Sequence, residues 1–237
     1  MTDIPWAVVL VAWDAERVAL PIFVVAGGAL LAWYAAGNWL MIRRARRLAL
    51  WAKRAVDPFG GKQAVRWPTL QSFRLEVAEP RPPLRAAAIS GLIESWDVPF
   101  VWLWNRWHWR RDMVLLELTL RQRPVWGLEL WRPRALLAGD ARRLAEREGW
   151  PEEVLDEFRL ACPHQDGRAL ARALLDDLAE ERRNLIRLAV RRAEPQLTLA
   201  LNVPDPARLT PAEFHRLVRR LTETILHHAS PGEDTSS

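Results

Sequence analysis

The side chains best suited to nucleophilic or metal chemistry are one cysteine and five histidines, and they include two closely spaced pairs. Cys162 and His164 are separated only by Pro163, and a thiol beside an imidazole is the usual arrangement of a cysteine nucleophile. Catalytic Cys–His pairs are normally assembled from distant segments, so we interpret this pair as structural. His227 and His228 are adjacent and lack the i, i+4 spacing of a helical metal pair. As cations near a helix C-terminus they would interact favourably with the helix dipole and stabilise the helix.

The sequence contains none of the motifs GxxxxGK[ST], GxGxxG, GxSxG or HExxH. We therefore assign no catalytic, cofactor-binding or metal-binding residue, and expect no cofactor. The single cysteine excludes an intrachain disulfide framework. The net charge is +5, but acidic residues are interleaved with the arginines, so nucleic acid is not an expected partner.

Tryptophans are concentrated in the stretch PFVWLWNRWHWRRD, residues 99–112. A two-residue Asn-Arg turn in this stretch would form an aromatic hairpin that pairs Trp104 with Trp107 and Trp102 with Trp109. Asn-Arg is not a preferred turn pair, so a longer loop from Asn105 to Asp112 is the alternative.

Three roles are open for this aromatic hairpin. It can form a core or edge cluster under a helix with no ligand, which we favour because large aromatic side chains usually serve burial. It can dock on a membrane surface, since tryptophan beside Arg106, Arg110 and Arg111 suits the headgroup layer. It can also stack on single-stranded nucleic acid or another planar ligand.

The strongest signal is an apolar segment near the N-terminus. Residues 18–42 contain no charged side chain. As a helix this segment is about 37 Å long, enough to cross a hydrocarbon core of about 30 Å. Gly28, Ala32 and Ala36 recur every four residues and offer a small-residue face for a homodimer.

The flanks of this segment predict its orientation. Acidic residues predominate before it, whereas a basic cluster follows, made up of Arg43, Arg44, Arg46, Arg47, Lys53 and Arg54. The positive-inside rule then places the N-terminus outside and the rest of the chain in the cytoplasm. The same cluster is suited to anionic lipid headgroups.

The chain accordingly divides into an extracytoplasmic lead-in (1–17), a transmembrane helix (18–42), a basic juxtamembrane helix and hinge (43–70), a cytoplasmic domain (71–229) and a disordered tail (230–237).

Within the domain, short β-prone runs come first and helical patterns follow. We predict strands over 88–93, 98–104, 113–121, 125–131, 156–163 and 195–204. We predict helices over 133–150, over 167–189, and after a capping box formed by Thr210 and Glu213. The fold class is α+β, an antiparallel sheet with helices packed on one face.

The order of these segments resembles a set of uncharacterised bacterial single-pass membrane proteins. The likeness covers most of residues 30–228 and rests on RRARRLALWAKR, ISGLIE, the tryptophan-rich stretch, DEFRLAC and the leucine-rich segment after it. Tryptophan stands here where that group more often has tyrosine or small polar residues. The resemblance implies an inner-membrane location and a cytoplasmic α+β domain, and it implies no activity.

These features predict a membrane-anchored cytoplasmic interaction or scaffolding module that contacts the bilayer and another protein. The alternatives are a membrane-tethered enzyme whose active site carries no recognisable motif, and a domain that binds anionic lipid surfaces.

Overall fold

The computed structural model describes residues 6–94, 99–107, 112–203 and 209–229. Its helices are α1 (Trp6–Val56), α2 (Pro99–Trp107), α3 (Ala138–Glu148), α4 (Gln165–Leu178) and α5 (Pro211–Ala229). Its strands are β1 (Lys62–Thr69), β2 (Ser72–Ala78), β3 (Leu84–Leu92), β4 (Met113–Leu120), β5 (Leu128–Trp131), β6 (Glu152–Leu155), β7 (Phe158–Ala161), β8 (Leu185–Val190) and β9 (Leu197–Asn202). Short 3₁₀ turns occur at Asp57–Phe59 and Ala179–Asn184.

The strands form one antiparallel sheet in the order β1-β2-β3-β4-β9-β8-β5-β7-β6. Side chains alternate between its two faces. On one face, which we name the core face, Leu75, Ile89, Leu116, Leu199 and Leu188 lie in a row across five strands. Helices α1, α4 and α5 bury this row. The α+β class and the antiparallel sheet are therefore confirmed.

One helix lies on the opposite face. Ala141 and Ala145 of α3 pack against Trp131 of β5, while the neighbouring Leu130 belongs to the core face. The expectation that all helices pack on one face is therefore wrong for α3. The reason lies in the strand itself, because all four residues of β5 are buried and Trp131, on the side opposite Leu130, needs apolar cover.

The prediction of an aromatic hairpin is wrong for the residues of this stretch that the structure describes. The expected strand over 98–104 is replaced by α2, and Trp102, Trp104 and Trp107 all lie on this helix. No cross-strand tryptophan pair exists among these residues, and Trp109 lies outside the described part of the chain.

The predicted long helix over 167–189 ends early. Ala179 adopts a positive φ of 46° and terminates the α-helical stretch, after which Leu185 and Leu188 belong to β8. Every residue of β8 is buried, with Leu188 in the core under the helices and Arg187 on the other face paired with Glu129. The leucine spacing that indicated a helix is therefore partly the spacing of a buried strand.

Two further differences from the prediction concern strands, whereas the predicted start of α5 agrees with the structure. Residues 62–69 form β1, although we assigned them to a hinge, and the unforeseen β6 pairs with β7. At the start of α5 the backbone N–H of Thr210 donates to Glu213 Oε2 at 2.8 Å. The N–H of Glu213 donates to Thr210 Oγ1 at 3.3 Å, so the predicted capping box is confirmed. The expected disordered tail lies outside the described residues.

Candidate membrane-facing site

The first part of α1 exposes a continuous apolar surface. Leu20, Phe23, Val25 and Leu31 are each more than two-thirds exposed, and this part of the helix is long and apolar enough to cross a membrane. Soluble monomers seldom expose contiguous apolar patches of this extent. The lead-in expected before the span belongs to the same helix from Trp6 onward. Gly28 of the small-residue face has open space around its Cα.

The second part of the same helix is an element of the domain core. Met41, Ala45, Leu48, Ala52 and Ala55 recur at three- and four-residue spacing, and all are buried against the sheet and α5. A helix that runs without a break from the apolar surface into the core joins the two rigidly. The hinge that we expected after the juxtamembrane helix therefore does not separate them.

Trp51 connects α1 to the C-terminal part of the chain. Its indole Nε1–H donates to the carbonyl oxygen of Leu209 at 2.9 Å, and its ring lies 4.9 Å from that of Phe214. These contacts hold the juxtamembrane part of α1 against the start of α5. The residue is a buried anchor that the sequence analysis did not single out.

All six residues of the basic cluster are exposed on α1, on the side away from the core. The guanidinium of Arg43 lies 5.2 Å from the centroid of the Trp39 ring, an arrangement suited to the membrane interface. Lys53 and Arg54 lie about 15 Å farther along the helix axis than Arg43 and Arg44. The cluster is therefore two groups at different heights, and the group at 43–47 is the nearer to the apolar surface.

Helix α2 lies beside this apolar surface. The ring of Trp102 packs edge-on against that of Trp33, with centroids 5.9 Å apart. Trp104 and Trp107 are exposed, so the structure does not bury them as a core cluster. Phe100 and Leu103 are exposed as well, and the sequence analysis did not select them as site residues. A helical reading of this stretch would have found them, because these four positions follow the i, i+3, i+4, i+7 pattern.

Asp112 fixes the point at which the chain returns from α2 to the sheet. Its Oδ1 accepts a hydrogen bond from the backbone N–H of Glu94 at 2.8 Å, and its Oδ2 lies 3.9 Å from Arg44. Burial raises the pKa of the Asp112 carboxyl, partly offset by the Glu94 N–H and by Arg44. The segment that carries α2 thus begins and ends beside the basic cluster.

A second concave region lies at the far half of the sheet, between α3 and the loop that joins β8 to β9. This cleft of about 660 Å³ is lined by Trp126, Trp150 and His164 and by several arginines. An adjoining depression shares part of the same wall. The arginines that line the two are Arg143, Arg147, Arg187, Arg191 and Arg192.

Carboxylates compensate part of this positive charge. Glu129 is fully buried, and it accepts hydrogen bonds from Arg187 Nε at 2.9 Å and from Arg191. Arg143 pairs with Asp140. The remaining guanidinium groups give the cleft the character of an anion-binding surface.

The Cys162–His164 pair does not have the geometry of a nucleophile and its base. The thiol donates to the backbone carbonyl of His164 at 3.3 Å, whereas the imidazole ring packs on Trp126 with centroids 5.3 Å apart. Burial and the nearby Glu153 raise the pKa of the Cys162 thiol, which is opposite to the shift of an activated cysteine.

A comparison with protein-family models and with curated protein sequences finds no match to this chain.

Proposed function

We propose that this chain is a single-pass protein of the bacterial inner membrane, whose α+β domain is held at the cytoplasmic face as an interaction or scaffolding module. The observation that carries the proposal is the double role of α1. Its apolar half is exposed over a length sufficient for a span, and its following half is buried in the domain core. Apolar surface of that extent is stabilised by lipid, because its contact with water is thermodynamically unfavourable.

The charges on either side of the span support the orientation. Asp3, Asp14 and Glu16 precede it, whereas the exposed arginines at 43–47 follow it directly. The side with more basic residues remains in the cytoplasm. The domain is on that side because it is continuous with this part of α1.

The membrane part of the proposal is tested with reporters fused to the two ends of the full chain. We expect a reporter active only outside to work at the N-terminus, and one that fluoresces only in the cytoplasm to work at the C-terminus. The protein should remain in the membrane pellet after alkaline carbonate washing. Its release into the supernatant would contradict the anchor.

Matched variants test which basic residues determine the orientation. Neutralising the four arginines at 43–47 should produce a detectable inverted population, because the effect is strongest close to the span. Neutralising Lys53 and Arg54 should change the orientation less, since they lie farther from the span. An equal effect of the two variants would contradict the claim that the arginines at 43–47 determine the orientation.

The interaction role is supported by one edge of the sheet. Among the described residues no strand pairs with the outer edge of β1, and Val65, Trp67 and Leu70 in and beside that strand are exposed. An open edge strand with exposed apolar side chains is suited to a partner that adds a strand. Such a surface is expected in a module that binds a protein.

This role is tested by co-purification of the tagged full chain from crosslinked membranes. We expect Trp67→Arg to lose a specific partner. Val154→Arg on β6, the opposite edge strand, serves as the control because Val154 is also exposed and should leave the partner bound. Equal recovery of the partner with both variants would exclude β1 as its docking strand.

The arginine-lined cleft favours a second candidate function, the binding of an anionic ligand. Arg147 and Arg192 line it and have no carboxylate within ion-pair distance among the described residues. Inorganic pyrophosphate should raise the unfolding midpoint of the full chain at constant ionic strength. Arg147→Ala should reduce this increase, whereas Arg142→Ala, which removes an exposed pair with Glu146, should not. Equal responses of the two variants would exclude the cleft as the pyrophosphate-binding site.

A further inference from the structure

Helix α2 is held at a fixed place on α1. The segment that carries it starts and ends at the hydrogen bond between Glu94 and Asp112, beside Arg44, and its middle contacts α1 through Trp102 and Trp33. Trp33 lies on the apolar part of α1, beyond Arg44 by about 16 Å along the helix axis. The segment therefore projects from the domain toward the N-terminal end of α1.

The exposed face of α2 is strongly apolar. Phe100 and Trp107 are each 79% exposed, and Leu103 and Trp104 lie between them on the same helical face. Trp102 lies on the opposite side of α2 and packs on Trp33 of α1, so this face points away from α1. Both helices therefore expose apolar side chains at the same place along the axis of α1.

The height of α2 matches the boundary of a bilayer. Trp39, stacked with Arg43, marks the interface on α1, and Trp33 precedes it by about 9 Å along the axis. Amphipathic helices at membrane interfaces bury their apolar faces about 5–10 Å into the boundary of headgroups and acyl chains. A helix is also compatible with that depth because its backbone hydrogen bonds are internal.

From this geometry we propose that α2 is a second membrane contact, inserted in the cytoplasmic leaflet beside the span with its Phe100–Trp107 face in lipid. The inference rests on the proposed span and adds to it. Lipid is the occupant that fits, because α2 packs on the exposed apolar part of α1 and exposes its own apolar face at the same depth. Two attachment points also limit tilting of the domain relative to the bilayer, so the same surfaces of the domain always face the cytoplasm.

The proposal is tested by spin labels on the full chain in nanodiscs that contain anionic lipid, in a Cys162→Ala background that removes the native thiol. Single labels replace Phe100 or Trp107, whose exposure makes folding tolerant of the change. Leu31 on the span, 71% exposed, is the lipid control, and Val154 on β6 is the aqueous control. Collisions with oxygen report lipid, and collisions with a water-soluble nickel chelate report water.

We expect labels at 100 and 107 to resemble the one at Leu31, with high oxygen and low nickel accessibility. High nickel accessibility at 100 and 107, with Leu31 in lipid, would overturn the inference and leave the span intact. Low accessibility to both reagents would overturn it in favour of a protein contact, from a second copy or a partner. High nickel accessibility at Leu31 would instead refute the proposed span itself.

Discussion

Removal of the Trp51 side chain tests whether the juxtamembrane part of α1 belongs to the domain core. Trp51 is 7% exposed, donates to the Leu209 carbonyl and packs on Phe214. Truncation of a buried aromatic side chain to alanine costs about 3–5 kcal/mol. Within that sum the hydrogen bond contributes about 1 kcal/mol and the ring contact about 0.5–1.5 kcal/mol. We therefore expect Trp51→Ala to lower the free energy of unfolding by at least about 3 kcal/mol.

Two further variants of α1 separate packing from other effects. Leu50 is adjacent in sequence but 58% exposed, so Leu50→Ala should change the free energy of unfolding by about 0.5 kcal/mol or less. Trp51→Phe retains most of the buried ring and loses the hydrogen bond, so its cost should lie between those of the two alanine variants.

The assay is pulse proteolysis of the full chain in nanodiscs across a urea series, which reports unfolding of the domain while the span remains in lipid. The expected order of midpoints is wild type and Leu50→Ala together, then Trp51→Phe, then Trp51→Ala. Equal midpoints for Trp51→Ala and Leu50→Ala would refute the assignment of this part of α1 to the core.

The remaining predictions concern the sheet and α5. Glu129→Ala should lower the free energy of unfolding by about 3 kcal/mol or more, because two guanidinium groups then lose their buried carboxylate. Gly91→Ala should cost about 1–3 kcal/mol, since its Cβ would lie 2.2 Å from the Phe73 ring. Burial lowers the pKa of His215, with a contribution from Arg219. The unfolded chain therefore binds this proton first, and stability should fall as the pH drops below about 6.5.

Each of these has a matched control. Glu223→Ala removes an exposed pair with Arg219 and should be nearly neutral, so a cost equal to that of Glu129→Ala would refute the buried network. Gly139→Ala adds a Cβ in open space, and an equal loss there would show that Phe73 is not the cause. His215→Gln should show a smaller decrease in unfolding midpoint between about pH 7.5 and 5.5. An unchanged pH dependence would exclude His215 as the group responsible for the loss of stability at low pH.

Local chemistry predicts some of these elements correctly. Thr210 and Glu213 specify the start of α5 because the capping box is complete within the segment itself. Gly149 ends α3 in the left-handed conformation, as expected of a glycine after a helix. The alternation in β9 also predicts a strand, since its three leucines face one side of the sheet.

Tertiary context explains the error at α2. In the segment from Phe100 to Trp107, aromatic and β-branched residues favour a strand by propensity, and their alternation over a short run imitates one. The helical pattern of four exposed apolar residues is stabilised by a neighbour distant in sequence, Trp33. A short segment read by itself does not contain that contact.

The arginines of α1 hid from the sequence pattern that this helix continues into the domain core. Arginines interrupt the apolar run after residue 42, so the hydropathy signal ends there. The buried stripe that includes Met41, Ala45 and Leu48 consists largely of small and medium side chains, and it is recognised only when its partners on the sheet are known. The sequence therefore predicted the long apolar helix and the basic cluster, but not the unbroken continuation of that helix into the domain core.

The central claim is that one uninterrupted helix is both the membrane anchor and a core element of the domain. Hydrogen–deuterium exchange of the full chain in nanodiscs tests it most directly. We predict that the amides of residues 41–56 exchange as slowly as those of the buried central strand β9. Fast exchange within residues 43–56, with slow exchange in the span and in β9, would show a flexible linker and would contradict the account.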